Sequence, residues 1–248
     1  MSKFAFKNLE ELKGIVQMIE KTNADYIPFV LDQDSLKIQM INSSTTVYFS
    51  VELKEELFHY LTCKERIQFS VPSQFFCNYI LKTCQVSSEL TVEIKKKKIL
   101  FTTYKKGSPF TSGIPLTLCK STIEFQQPKK KGDARITMKT IELIKSVKVV
   151  AGMDQPQISF KIHKNGKYEI IGSGNSIYQD SIQYFNEDGV LASVNLKETF
   201  NTSALLSFIC VSPPLDYITI LFYKSGPTYF QYHNALLDIV VVISKMRD

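Results

Sequence analysis

The chain is short of almost every feature that announces a chemistry. No run of about 18 apolar residues occurs, so no membrane-spanning helix is expected. The first residues, MSKFAFKNLEELKG, turn charged too early for a signal peptide. Ten Gly and nine Pro in 248 residues exclude collagen-like and Gly-rich classes. The five cysteines, at 63, 77, 84, 119 and 210, form no C-x-x-C pair. Such spacing suits buried thiols in a reducing compartment better than a disulfide frame or a zinc site. The three histidines, 59, 163 and 233, lack H-x-x-x-H or H-E-x-x-H spacing. There is no G-x-S-x-G elbow and no Walker loop. Gly172-Ser173-Gly174 is a lone G-x-G between strands, a poor phosphate cradle. No catalytic residue, cofactor or metal is expected.

What is present is an ordinary globular composition, 44% apolar and 22% charged, enough for one large core or two small ones. The net charge of +6 is unevenly placed. Residues 1–92 hold 9 basic and 11 acidic side chains, residues 93–131 hold 10 and 2, and residues 132–248 hold 11 and 11. The whole excess therefore lies in one middle segment, in Lys95–Lys98, Lys105–Lys106, Lys120 and Lys129–Lys131. Attraction to an anionic polymer is one meaning of such runs; solvated turns and linkers are the other.

A repeat organises the rest. Residues 37–48 (KIQMINSSTTVY) and 167–178 (KYEIIGSGNSIY) share Lys, Ile, Ser and Tyr at an offset of 130. Each follows a turn signal and an apolar helical pattern: Leu9, Leu12, Ile15, Val16 and Ile19 in one half, Ile141, Ile144 and Val147 in the other. A second helix is expected over 72–84 and over 199–211. Each leads into an alternating hairpin, 90–94 to 99–101 and 217–220 to 228–230. The expectation is an α+β domain of about 120 residues used twice. The domains run over 1–119 and 134–248, joined by a connector over 120–133.

Helix lysines carry the functional signal. Lys145 and Lys148, three apart, share one helix face. Lys13 lies on the polar side of the first helix and Lys82 near the end of the second.

The stretch Lys37–Val47 resembles the strand and loop of the sliding-clamp family, typified by proliferating cell nuclear antigen, where a Met-Asp-Ser-Ser-His-Val motif stands. The resemblance continues through Val71-Pro72-Ser73, Ile80-Leu81-Lys82, Ile136-Thr137-Met138, Lys164-Asn165-Gly166 and Thr199-Phe200 to Pro213. It implies two similar clamp-type domains per chain, each with two helices on a β-sheet layer, and subunits assembling into a ring, usually a homotrimer. It implies double-stranded DNA as a partner, held non-specifically by Lys13, Lys21, Lys82, Lys139, Lys145 and Lys148. It implies docking of DNA polymerase and other clamp-binding proteins through short apolar peptides, on Ile41, Tyr48, Ile123, Phe125, Pro227, Val241 and Ile243. The edge strands expected to pair between subunits lie near Gly113–Lys120 and Ser181–Phe185. Location in a nucleus or a viral replication compartment follows from the same likeness.

The chain departs from the family at Glu20, Thr45 and Cys210, in a fourth helix without basic residues, and in its basic connector, all of which suit a divergent member. A checkpoint-clamp subunit, a monomeric or dimeric viral processivity factor, and a clamp-fold interaction protein without DNA binding stay open beside the processivity clamp.

Overall fold

The computed structural model describes residues 2–7, 9–84, 89–105, 108–118, 132–173, 181–185, 189–209 and 215–246. The expected connector residues Ile123 and Phe125 lie outside them, as does Cys210. The chain divides into two compact units. Unit 1 comprises Met1–Thr45, Phe49–Phe125 and Asn234–Ile239; unit 2 comprises Thr46–Tyr48, Gln126–His233 and Val240–Asp248.

The first stretch of chain runs β1 (Ser2–Phe6), α1 (Glu10–Glu20), β2 (Tyr26–Leu31), β3 (Ser35–Ile41), β4 (Val47–Lys54), β5 (Phe58–Thr62), β6 (Ile67–Pro72), α2 (Ser73–Asn78), β7 (Leu90–Ile94), β8 (Lys98–Lys105), β9 (Ser108–Pro115) and β10 (Thr117–Leu118). Its strands take the orders β5-β1-β7-β8-β9 and β10-β6-β2-β3-β4. Helix α1 forms because Leu12, Ile15, Val16 and Ile19 recur on one face, and all four are buried. Glu10 and Glu11 suit its positive N-terminal end. It stops where the Thr22 hydroxyl donates to the Ile19 carbonyl at 2.7 Å and Asn23 turns to φ 53°. Aromatic rings fill the space between sheets and helices. Phe29 of β2 stacks on Phe69 of β6 at 5.2 Å and meets Phe76 of α2 edge-on at 5.4 Å. Helix α2 runs into one π-helical turn, Tyr79–Thr83, closed where the Cys84 N–H donates to the Tyr79 carbonyl at 3.2 Å. The second helix expected over 72–84 is thus present, in two forms.

The remainder runs β11 (Ala134–Lys139), α3 (Thr140–Gly152), β12 (Gln157–Ile162), β13 (Lys167–Ser173), β14 (Ser181–Phe185), β15 (Val190–Ala192), β16 (Leu196–Asn201), α4 (Thr202–Phe208), β17 (Tyr217–Phe222), β18 (Thr228–His233) and β19 (Leu237–Ile243). Its sheets take the orders β14-β13-β12-β16 and β15-β11-β17-β18-β19. Phe160 sits at the centre of this core, edge-on to Phe200 at 5.8 Å and tilted against Phe222 at 5.7 Å.

Three expectations are corrected. The buried face of α3 is Leu143, Val147 and Val150, with Thr140 and Ser146. Ile141 is 54% exposed, because the polar Thr140 and Ser146 take the inward positions that the apolar pattern seemed to give it. The helix expected from Thr199 begins at Thr202. Leu196, Glu198 and Phe200 alternate inward on β16, and Asn201 ends the strand by accepting a bond from the Ser203 N–H at 2.8 Å. The strand expected over Gly113–Lys120 is split. β9 ends at Pro115, the Leu116 N–H donates to the Lys97 carbonyl at 3.0 Å, and β10 pairs with β6 instead.

Candidate nucleic-acid interface

In unit 1, α1 presents Glu10, Lys13, Gly14, Gln17 and Glu20 outward, with Lys21 capping its C-terminal end. Two acids and two bases leave this stripe neutral. Lys13 is half-buried beside the end of the π-helical turn. Its positive charge there opposes the effect of burial on the Cys84 thiol, which is nevertheless pushed up to about 12. Lys82 is exposed on the π-helical turn, which lies against α1. The second cysteine of this helix pair, Cys77, reaches back to the Val16 carbonyl at 4.0 Å, so α1 and α2 are held together by buried groups.

Of the two α-helices of unit 2, α3 is the one that carries charge. Lys139 caps the N-terminal end in extended conformation, and the Thr140 N–H donates to the Asp216 carbonyl at 2.9 Å, which fixes where the helix starts. Ile141, Lys145, Lys148 and Val149 form one exposed stripe at i, i+4, i+7 and i+8. The only carboxylate on this helix is Glu142, in its first turn. Helix α4 lies against α3 and adds no charge. The exposed Ile141 and Val149 went unrecognised in the sequence. Their spacing from Lys145 and Lys148 was the signal that could have found them.

Lys3, Lys37, Lys54 and Lys161 lie on strands and face carboxylates at 3.0–3.9 Å. Among the described residues, none of Lys13, Lys21, Lys82, Lys139, Lys145 or Lys148 is held in an ion pair. An unpaired ammonium on a helix surface is available to an outside anion at no cost of breaking an internal contact.

β9 and β14 are among the strands outermost in their sheets. β9 pairs with β8 only, over the register Lys98↔Pro115 to Lys105↔Ser108, and carries Phe110 at 53% exposure. β14 pairs with β13 only, over Lys167↔Phe185 to Ile171↔Ser181. The residues expected to receive partner peptides differ in burial. Ile41 and Pro227 are half-buried. Tyr48, Val241 and Ile243 are core residues.

No family model matches the chain, and no curated protein sequence does either. Solved structures do. Proliferating cellular nuclear antigen from Entamoeba histolytica superposes with a TM-score of 0.84 at 15% identity, over 99% of both chains. PCNA from Thermococcus kodakaraensis superposes with a TM-score of 0.85 at 16% identity, over 99% of this chain and 100% of that one. At such identities it is the backbone path that is shared: the chain has the α+β fold of a PCNA-type sliding clamp, along its whole length.

Proposed function

We propose that the chain is a subunit of a DNA sliding clamp, a ring that encircles duplex DNA and tethers a polymerase and other replication or repair proteins to it. The observation that carries this reading is the exposed, unpaired lysine stripe of α3 within a clamp fold. A sliding ring must hold phosphates without reading bases, and mobile lysines on a helix surface suit that task. The open edges of β9 and β14 support assembly, because an exposed edge strand is a liability unless another strand covers it. Docking of polymerase and other partners through short apolar peptides belongs to the same proposal.

The test is retention on closed primed circular DNA, with native mass measured in parallel. A clamp of this kind has a mass that is a multiple of the single chain. It stays on circular DNA and leaves when the circle is linearised. A chain that remains monomeric at every concentration, and that dissociates equally from circular and linear DNA, overturns the proposal. A monomer that assembles only when mixed with other clamp-like chains points to a heteromeric ring instead.

A further inference from the structure

Unit 1 contains a cleft of about 800 Å³ that none of the helix lysines lines. Its floor is apolar, built from Ile67 at the start of β6, Ile94 at the end of β7, and Leu116 and Leu118 after β9. Its rim is basic: Arg66, Lys95 and Lys96. None of the described residues that line it is acidic. Rim and floor are fixed to one another. The Lys95 N–H donates to the Lys98 carbonyl at 2.9 Å, which shapes the turn, and the Leu116 N–H donates to the Lys97 carbonyl at 3.0 Å, which ties that turn to the floor.

Three features of the cleft ask for a ligand. Leu118 is 64% exposed although it sits in a paired strand opposite Phe69. Strand β10 is outermost in its sheet, so its outer side has no strand neighbour among the described residues. The Glu93 carboxylate, beside the cleft, is shared between the Lys3 ammonium at 3.0 Å and the Lys95 ammonium at 3.3 Å, so these two lysines have one counter-charge between them. Lys96 adds another exposed ammonium with no ion pair among the described residues.

We propose that this cleft docks an extended, acidic peptide segment of a partner protein, with apolar side chains anchored on Ile94, Leu116 and Leu118. An extended chain can use the open side of β10, and alternate side chains then reach the floor. Carboxylates on the flanks meet Arg66, Lys95 and Lys96. The chain's own residues 119–131 are a poor occupant by charge, since they carry four lysines and one glutamate. Nucleic acid fits less well than peptide. The lining has no aromatic ring for a base to stack on, and phosphates on the rim would leave the leucines in water.

The probe is a fluorescent peptide of about ten residues, rich in Asp and Glu around two leucines, with a photoreactive benzoylphenylalanine at one end. Anisotropy against the full chain should show saturable, salt-sensitive binding, and crosslinks should fall on 116–118. The double variant Arg66→Glu, Lys96→Glu should weaken binding by about tenfold or more. Leu118→Asp should do the same, and the milder Leu118→Asn should lie between, with thermal melts of all variants checked against the parent. Absent binding, affinity unchanged in these variants, or equal binding of a peptide with Lys in place of its acids would each overturn the proposal. So would a short DNA duplex whose affinity, rather than the peptide's, falls in the charge variant. None of these outcomes depends on ring assembly or on the α3 lysines.

Discussion

Cys77 and Cys84 show how placement sets chemistry at the scale of one residue. Burial first of all pushes both thiols up to about 12, with Glu20 reinforcing the effect at Cys77 and Lys13 opposing it at Cys84. Both are therefore un-ionised and unreactive in the folded protein at neutral pH. Cys63 is only half-buried. In a chain with Cys119 and Cys210 changed to Ser, a thiol reagent at about pH 8 should modify Cys63 first and reach the other two only on unfolding. Mass spectrometry of the partly modified protein checks this, and rapid labelling of Cys77 would contradict it. The same thiols affect stability at alkaline pH. Below the unfolded value of about 9 both states hold the proton; above it the unfolded chain sheds the proton and the folded chain keeps it. Stability should thus fall as pH rises from about 9 towards about 12, measured by denaturant midpoints along that range. That these cysteines are core residues was legible from their seven-residue spacing on a helix.

Elements were legible where one physical signal dominated. The α1 pattern and the two hairpins came through because their apolar periodicity was uncontested. The start of α4 did not, because Thr199–Asn201 satisfies both an alternating strand pattern and a helical one, and tertiary pairing with β12 decides for the strand. With only seven residues, α4 depends on its cap. The Asn201 carboxamide oxygen accepts from the Ser203 N–H at 2.8 Å and from the Ser203 hydroxyl at 2.6 Å. Asn201→Ala should destabilise the protein by about 1 kcal/mol, and Asn201→Asp should restore most of it. Urea midpoints at constant slope measure both. Equal stability of all three proteins would show that packing of Leu205 and Phe208 alone holds the helix. The π-helical turn after α2 was illegible for a different reason: a five-residue closure leaves no distinct trace in apolar spacing.

At the scale of the molecule, the offset of 130 residues made the duplicated architecture readable in the sequence. Function was less readable. The sequence led to six lysines but not to what sets them apart from lysines such as Lys3 and Lys37. Only the structure shows that Lys3, Lys37, Lys54 and Lys161 are engaged with carboxylates while Lys145 and Lys148 are not, since pairing depends on which strands lie side by side. Burial was also hidden from sequence: Tyr48, Val241 and Ile243, expected to receive partner peptides, are core residues. If the helix lysines hold phosphates, Lys145→Ala with Lys148→Ala should flatten the log–log dependence of DNA affinity on salt by about 0.9 per lost phosphate contact, up to about 1.8. Native mass should not change. An unaltered slope would remove α3 from the interface, and a slope altered only by replacing Lys95–Lys98 would move the interface to that turn.

The outer edge of β9 sets a limit on any strand that could extend its sheet. Of its eight residues, the second and the last are prolines, Pro109 and Pro115, neither of which has an N–H to offer. Phe110–Ile114 remain between them, a slot of the same length as the five-residue β14. A visiting strand that slides along β9 soon meets a position that cannot donate, so only a short strand in one register is fully served. Head-to-tail contacts either close on themselves or propagate as fibres, and variation in register favours the second outcome. If copies pair along this edge, the two prolines would act as end-stops, favouring a finite stoichiometry where an unbounded edge would invite polymer.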